Sequence, residues 1–252
     1  MNIDRFYRRI GVEEPGHIDI RAVAFEFGLE VQFAPLTSCE ARIVGDGDRG
    51  IITIRQGSHR LRQRFSIAHE IGHWVFHRGK ALVCTRSDIG EGWEIGRLRE
   101  KIADEFAGKL LLPDFLLLPR ARKIRRLTFG EITKVATEFR VSKSATARRL
   151  VELDLFPAVL VGYNHLGRRW VARSKIVPEH WFPQRDLDAE SDVMRCLFSG
   201  HELGRPTKIG ADAFFDRREA ERFVVLEETI LVGDRDALTL ITITDERMLD
   251  DD

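Results

Sequence analysis

The spacing of apolar residues changes character twice along the chain, and each change marks a different kind of structure. In DIRAVAFEFGLE (19–30), Ile20, Val23, Ala24 and Phe27 fall at helical spacing and stop at Gly28, and VQFAPL (31–36) then suits a strand. ARIVGDGDRGIITI (41–54) sets two β-branched runs around Gly-Asp-Gly and predicts a hairpin. From Arg60 to about Arg149 the spacing is mostly helical, with breaks expected at Gly79, at Pro113 and Pro119, and at Thr128-Phe129-Gly130. After Pro157 the texture turns to strands. AVLVGYNHLGRRWVARS (158–174) predicts a second hairpin turning at Asn164 to Gly167, and ERFVVLEETILVGDRDALTLITITDE (221–246) predicts two or three more strands. The expected class is α+β, in three parts: residues 1–120, a helical segment 121–156, and a β-rich region 157–252.

One predicted helix carries chemistry. RFSIAHEIGHWVFH (64–77) contains His69, Glu70 and His73 as H-E-x-x-H. Helical positions i and i+4 share a face, so the two imidazoles can bind one metal ion, and Glu70 is placed to take a proton from water beside it. Ile67, Ala68, Ile71, Trp74, Val75 and Phe76 surround these polar groups, which would be costly to bury unless something satisfied them. His77 lies one further i+4 step on. Each such step turns the side chain by about 40°, so His77 is expected to support the site or lie at the surface, not to ligate.

A catalytic zinc site generally has three protein ligands and an open position for water. WEIGRLREKIADEFAGKLLLP (93–113) predicts an amphipathic helix whose apolar face includes Leu98, Ile102, Phe106 and Leu110. On it Glu100 and Asp104 stand at i and i+4. Glu100 is the candidate third ligand, and Asp104 the carboxylate that would orient a ligand histidine through its other ring nitrogen. Glu91, Glu94 and Glu105 compete for the first of these roles.

RQRFSIAHEIGHWVFH followed by REKIADEFAGKLLLP resembles the ImmA/IrrE family of metallopeptidases, bacterial and phage-associated proteins that cut helix-turn-helix repressors and so release stress or mobile-element genes. The family pattern pairs R-x-R-F-T-x-A-H-E-x-G-H with a later E-x-x-x-N-x-F-A-x-x-L-L-M-P. Here Ser66 replaces the usual threonine, Asp104 the asparagine and Leu112 the methionine, and the likeness is strongest over about 40–120. The resemblance implies a zincin-like metallopeptidase domain in 1–120, with a small sheet packed on the active helix. It implies Zn2+ held by His69, His73 and Glu100, Glu70 as general base, and a protein substrate, either a helix-turn-helix repressor or the chain itself. A regulatory or sensor role for 157–252, in a stress, DNA-damage or mobile-element response, follows from the same likeness.

Composition bounds the rest. The chain has 40 basic and 40 acidic side chains among 252 residues, so no global field draws it to nucleic acid or to an anionic membrane. Its apolar runs fall far short of the ~20 residues of a membrane span. MNIDRFYRRIG has charges where a signal peptide would be apolar, and Cys39, Cys84 and Cys196 are odd in number and widely spaced, which suits a reducing cytoplasm.

Local features suggest partners. LTFGEITKVATEFRVSKSATARRLVELDLF (127–156) has helix-turn-helix proportions: a helix to Phe139, a turn at Arg140 and Val141, and a second helix opened by Ser142. Lys143, Arg148 and Arg149 make that second helix basic, and ARKIRRL (121–127) adds four cations. The segment reads as a packing unit, as a phosphate contact for DNA, or as a dock for a repressor. Arg168, Arg169, Arg173, Trp170, Trp181 and Phe182 mix basic and aromatic groups that could stack single-stranded DNA as an activator. His201-Glu202 echoes half the metal motif, but position 205 is Arg205. Cys39 could reach the open zinc position and hold the enzyme latent. GIITIRQ (50–56) could pair with an extended substrate. Arg64, His77, Tyr163 and His165 are candidate oxyanion donors. The competing class is a DNA-binding transcriptional regulator with a structural or degenerate metal site.

Overall fold

The structure is a computed structural model that describes residues 1–77, 91–233 and 235–250; of residues 91–95 it describes the backbone. The break expected at Gly79, and Cys84, lie outside the described residues. The architecture is mixed α and β, as the spacing predicted. The chain divides into two compact units, one of Met1–Leu117 with Thr137–Ser142, the other of Leu118–Ala136 with Lys143–Asp252. Residues 121–156 fall partly in each: Thr137–Ser142 in the first unit and the remainder in the second.

In the first unit, α1 (Ile3–Arg9) and α2 (Ile20–Glu26) precede three strands, β1 (Leu29–Ala34), β2 (Ala41–Asp46) and β3 (Arg49–Arg55). Asp19 starts α2 by accepting the backbone N–H of Arg21 at 2.9 Å and of Ala22 at 3.4 Å. Gly28 ends it at φ +74°, and a Cβ there would meet the Asp48 carbonyl oxygen at 2.3 Å. The predicted hairpin β2–β3 forms, but its turn lies at Gly47 and Asp48, because Gly45 and Asp46 of the expected Gly-Asp-Gly turn pair with Gly50 and Arg49. What the hydrophobic pattern did not reveal is that β1 pairs in parallel with β3, giving the order β1-β3-β2. GIITIRQ is thus the central strand, with both its edges occupied, and cannot accept a substrate strand as expected.

Two long helices follow, α3 (Arg60–His77) and α4 (Glu91–Leu111), which pack on one another, and α3 also packs on β2 and β3. The indole of Trp74 sits where side chains on two strand glycines would be: a Cβ on Gly45 would meet it at 2.5 Å and one on Gly50 at 3.2 Å. Its Nε1–H donates to the Phe27 carbonyl at 3.1 Å. Pro113 separates α4 from α5 (Asp114–Ala121), as predicted. Pro119 does not stop α5: it lies in the final turn, where its missing N–H costs one bond and the helix ends within two residues.

Thr128 opens α6 (Phe129–Phe139), its hydroxyl accepting the Glu131 N–H at 3.2 Å. After a turn in which Arg140 takes φ +55°, α7 (Lys143–Glu152) begins. In the second unit, α7 packs against β4 (Ala158–Asn164) and β5 (Gly167–Arg173), the predicted second hairpin. Then come α8 (Asp192–Ser199), β6 (Thr207–Gly210), β7 (Val224–Leu231) and β8 (Asp236–Ile243), completing an antiparallel sheet ordered β5-β4-β8-β7-β6. Tyr163, Trp181, Phe214, Phe215, Val225 and Ile241 belong to the core of this unit. α8 and β6 carry too short a pattern to have been predicted.

Adjacent glutamates on β7 hold two helix starts. Glu227 accepts the backbone N–H groups of Asp192 and Val193, both at 2.9 Å, at the start of α8. Glu228, which points to the other face by strand alternation, accepts the N–H of Phe129 at 2.7 Å, at the start of α6.

Candidate metal centre

The site lies in the first unit, between α3 and α4. His69 and His73 project from one face of α3, with their Nε2 atoms 3.0 Å apart. Glu100 of α4 reaches both: one carboxylate oxygen lies 3.2 Å from His69 Nε2 and the other 3.3 Å from His73 Nε2. Among the described residues, these three side chains form the one group of His, Cys, Asp and Glu whose donor atoms all fall within 4.8 Å of one another.

Each imidazole is held from behind. Asp104, one turn beyond Glu100, lies 2.9 Å from His69 Nδ1, and the Nδ1 of His77 lies 3.2 Å from that of His73. Both Nε2 atoms are therefore aimed by a partner on the far side of the ring. His77 is buried, as is His73, whereas Glu100 and Asp104 are open to solvent on one side.

The charges are strongly coupled. Burial, the largest influence on His69, disfavours its charged form, but the hydrogen bonds of Asp104 and Glu100 outweigh it and push the imidazole up to about 9. The bonds from His69 and His73 hold the Glu100 carboxyl well below the ordinary carboxylate range. Glu70 is 4% exposed, and burial raises its carboxyl against the pull of His69 and His73. A carboxylate with a raised pKa beside two imidazoles is suited to accept and return a proton.

The other candidates are placed elsewhere. Glu91 and Glu94 fall where side chains are not described, and Glu105 lies 3.9 Å from Lys101. Cys39, half-buried between β1 and β2, is not in the donor group. Arg64 gives its Nε–H to the Arg140 carbonyl and its Nη1–H to that of Ile18, both at 3.2 Å, so it fastens the start of α3. Tyr163 is 1% exposed in the core of the second unit, out of reach of any substrate, and His165 lies at a hairpin tip there.

The basic residues chosen for nucleic acid are mostly engaged within the fold. Arg149 is 4% exposed and paired with Glu152 at 3.4 Å, which removes it from phosphate contact. Arg148 stacks 4.7 Å from the centre of the Trp170 ring. Arg168 stacks 4.4 Å from that of Phe182 and donates to the Pro183 carbonyl. Trp181 is buried, so of the aromatic platform only Phe182 is well exposed; Arg169 is exposed.

One residue escaped sequence reasoning. A Cβ on Gly72, between the two histidines, would sit 3.0 Å from the Ala103 Cα and 3.1 Å from its carbonyl oxygen. The glycine lets α4 approach closely enough for Glu100 and Asp104 to reach His69. Its signal was there: glycine inside a helix costs ~1 kcal/mol and calls for a packing reason.

Two helices that bring two histidines and a glutamate to one point, with a buried glutamate alongside, define a metallopeptidase-type helix pair. The chain belongs to the family of the IrrE N-terminal-like domain, a peptidase family whose model matches residues 24–151, about half its length. It is 26% identical over 134 residues to the radiation response metalloprotease IrrE of Deinococcus radiodurans, a match covering 52% of this chain and 39% of that one. It is 25% identical over 154 residues to the phage-like element PBSX protein XkdA of Bacillus subtilis, covering 61% of this chain and 70% of the other. Among solved structures, a Mycobacterium tuberculosis transcriptional regulator superposes with a TM-score of 0.63 at 16% identity, over 96% of this chain and 74% of that one; the likeness is one of fold. Membership of a metallopeptidase family implies a metal cofactor, and the His69, His73, Glu100 group is a site able to hold it.

Proposed function

We propose that this protein is a zinc-dependent endopeptidase with a zincin-like catalytic unit, cleaving a helix-turn-helix transcriptional repressor, or itself, to switch on a stress, DNA-damage or mobile-element response. The observation that carries this reading is the convergence of His69 Nε2, His73 Nε2 and the Glu100 carboxylate on one point. Two imidazoles and one carboxylate are a donor set that catalytic zinc uses, and three ligands leave a position for water. A zinc ion held there supplies a Lewis acid for the scissile carbonyl and lowers the pKa of water. Glu70 takes the proton from the attacking water and passes it to the departing amine. Asp104 and His77 fix the ligand rings, so that both Nε2 atoms face inward.

An extended substrate needs a free strand edge. β3 has none, and of the two edges β2 is the one that packs against α3, so β2 is the strand we assign to the substrate. Among the described residues, no helix is long and apolar enough to cross a membrane.

The test is incubation of the purified protein with the repressor encoded beside its gene, with and without single-stranded DNA as activator. A cut that a chelator abolishes, and that Glu70→Gln lowers by roughly 10²–10⁴-fold while retaining zinc, is the expected result. A protein that binds zinc and DNA and never cuts would instead be a DNA-binding regulator with a structural metal.

A further inference from the structure

We infer that the turn between α5 and α6, carrying Arg122, Lys123, Arg125 and Arg126, is a docking surface for the phosphate backbone of a nucleic acid. The sequence offered these four cations together with the arginines of α7 and β5. The structure separates them, because those on α7 and Arg168 are engaged within the fold and these are not. The inference rests only on the nucleic-acid part of the reading above.

The charge there is concentrated and unbalanced. Residues 118–136 hold six cations, Arg120, Arg122, Lys123, Arg125, Arg126 and Lys134, against the single acid Glu131, in a chain whose 40 basic and 40 acidic side chains balance overall. Glu131 is already paired with Lys134, at 2.6 Å. Arg122, Lys123, Arg125 and Arg126 are all exposed, and their side chains make no ion pair, hydrogen bond or ring contact with any described residue. This sets them apart in the second unit, where arginine side chains commonly have partners: Arg148 on Trp170, Arg149 on Glu152, Arg173 on Glu179, Arg217 on Trp181.

The turn is also held in place. Ala121 is fully buried and Leu127 is 2% exposed, so the cations are displayed between two anchored residues. The backbone N–H groups of Lys123 and Ile124 close back on the carbonyls of Arg120 and Ala121, at 3.1 and 3.0 Å. Four like charges within five residues repel one another, and a fixed turn keeps them from spreading apart. An anionic polymer removes that repulsion and loses condensed counterions as it binds. Three of the four are arginines, whose planar fork meets phosphate oxygens two at a time as it does carboxylates. What favours nucleic acid is its regular, closely spaced backbone charge, roughly one per 1.7 Å of duplex axis, which can meet four cations in five residues and release condensed counterions.

The experiment measures binding of fluorescein-labelled 20-nucleotide single-stranded DNA, and of the matching duplex, by anisotropy across a salt series. The proteins compared are the full-length wild type, a variant with Arg122, Lys123, Arg125 and Arg126 all changed to Gln, and Arg168→Gln/Arg169→Gln. Four phosphate contacts predict that wild-type affinity falls roughly 50-fold for the single strand, and roughly 150-fold for the duplex, between 50 and 200 mM salt. The fourfold variant should lose that salt dependence and at least tenfold in affinity at low salt, with a melting temperature no lower than wild type because the side chains removed are exposed and repel one another. The Arg168/Arg169 pair should bind within about twofold of wild type. Three results overturn the inference: fourfold-variant binding equal to wild type, no binding by wild type at 50 mM salt, or polyglutamate displacing the oligonucleotide at equal charge concentration, which would mark a dock for an acidic protein. Zinc content and peptidase activity play no part in the readout, so failure of the zinc reading leaves it standing.

Discussion

Gly72 of α3 and Ala103 of α4 stand in close contact between the two site helices: a Cβ on the glycine would lie 3.0 Å from the Ala103 Cα. The obstacle is backbone, which cannot swing aside, so any side chain at 72 pushes α4 outward along with Glu100 and Asp104. Helix propensity alone would make Gly72→Ala stabilising by ~1 kcal/mol. Overpacking opposes it with about 1–3 kcal/mol. The expected outcome is a lower melting temperature and less than one zinc per chain after dialysis against buffered metal. A rise in melting temperature with full zinc would show that the helices are not held by this contact.

Asp104 lies 2.9 Å from His69 Nδ1 and takes no place in the converged donor group. Its removal should therefore weaken metal binding without abolishing it. Asp104→Ala is expected to lower zinc affinity about 10–100-fold, measured by competition with a chromophoric chelator. Glu100→Ala should lower it further. Equal affinities for Asp104→Ala and wild type would reduce Asp104 to a surface charge.

The pairing of His69 and His73 on one face of α3 was legible because one sequence stretch carries both a helical period and two histidines at i and i+4. The partner helix was legible as a helix, but the residues left Glu100 among rival glutamates until the family likeness pointed to it; the structure brings it to His69 and His73. Other features depend on contacts distant in sequence. That β3 is central follows from its parallel pairing with β1, which no local pattern announces. Arg148 and Arg149 look alike in sequence, but burial of one and the Trp170 ring beneath the other decide what each can reach. Gly45 and Gly50 read as turn and strand residues, not as the seat of Trp74.

Arg148 and Trp170 give a prediction that separates packing from binding. Trp170 lies against Gly162, where a Cβ would meet its Nε1 at 2.4 Å, and Arg148 stacks on it from α7. A partly buried cation–π pair of this kind contributes about 1–2 kcal/mol. Arg148→Ala should lower the melting temperature by a few degrees and leave oligonucleotide affinity within about twofold. The reverse pattern, intact stability with lost affinity, would return Arg148 to the nucleic-acid surface.

Glu227 makes the stability of the second unit depend on pH. Burial is the main cause that raises its carboxyl to about 7; the amides of Asp192 and Val193 pull it down, and the charge of Asp192 pushes it further up. A carboxyl that titrates higher in the folded than in the unfolded chain binds its proton more tightly when folded. The stability it contributes is fully present below its ordinary value of 4.5 and is lost as pH rises through about 7. The melting temperature should therefore fall between pH 5.5 and pH 8. Glu227→Gln cannot titrate, so its melting temperature should change less across that interval, even if it is lower throughout because the amide nitrogen replaces an acceptor for one of the two α8 N–H groups. Calorimetry of both proteins at the two pH values reads the slope directly. An equal or steeper slope in the variant would place the titrating group elsewhere.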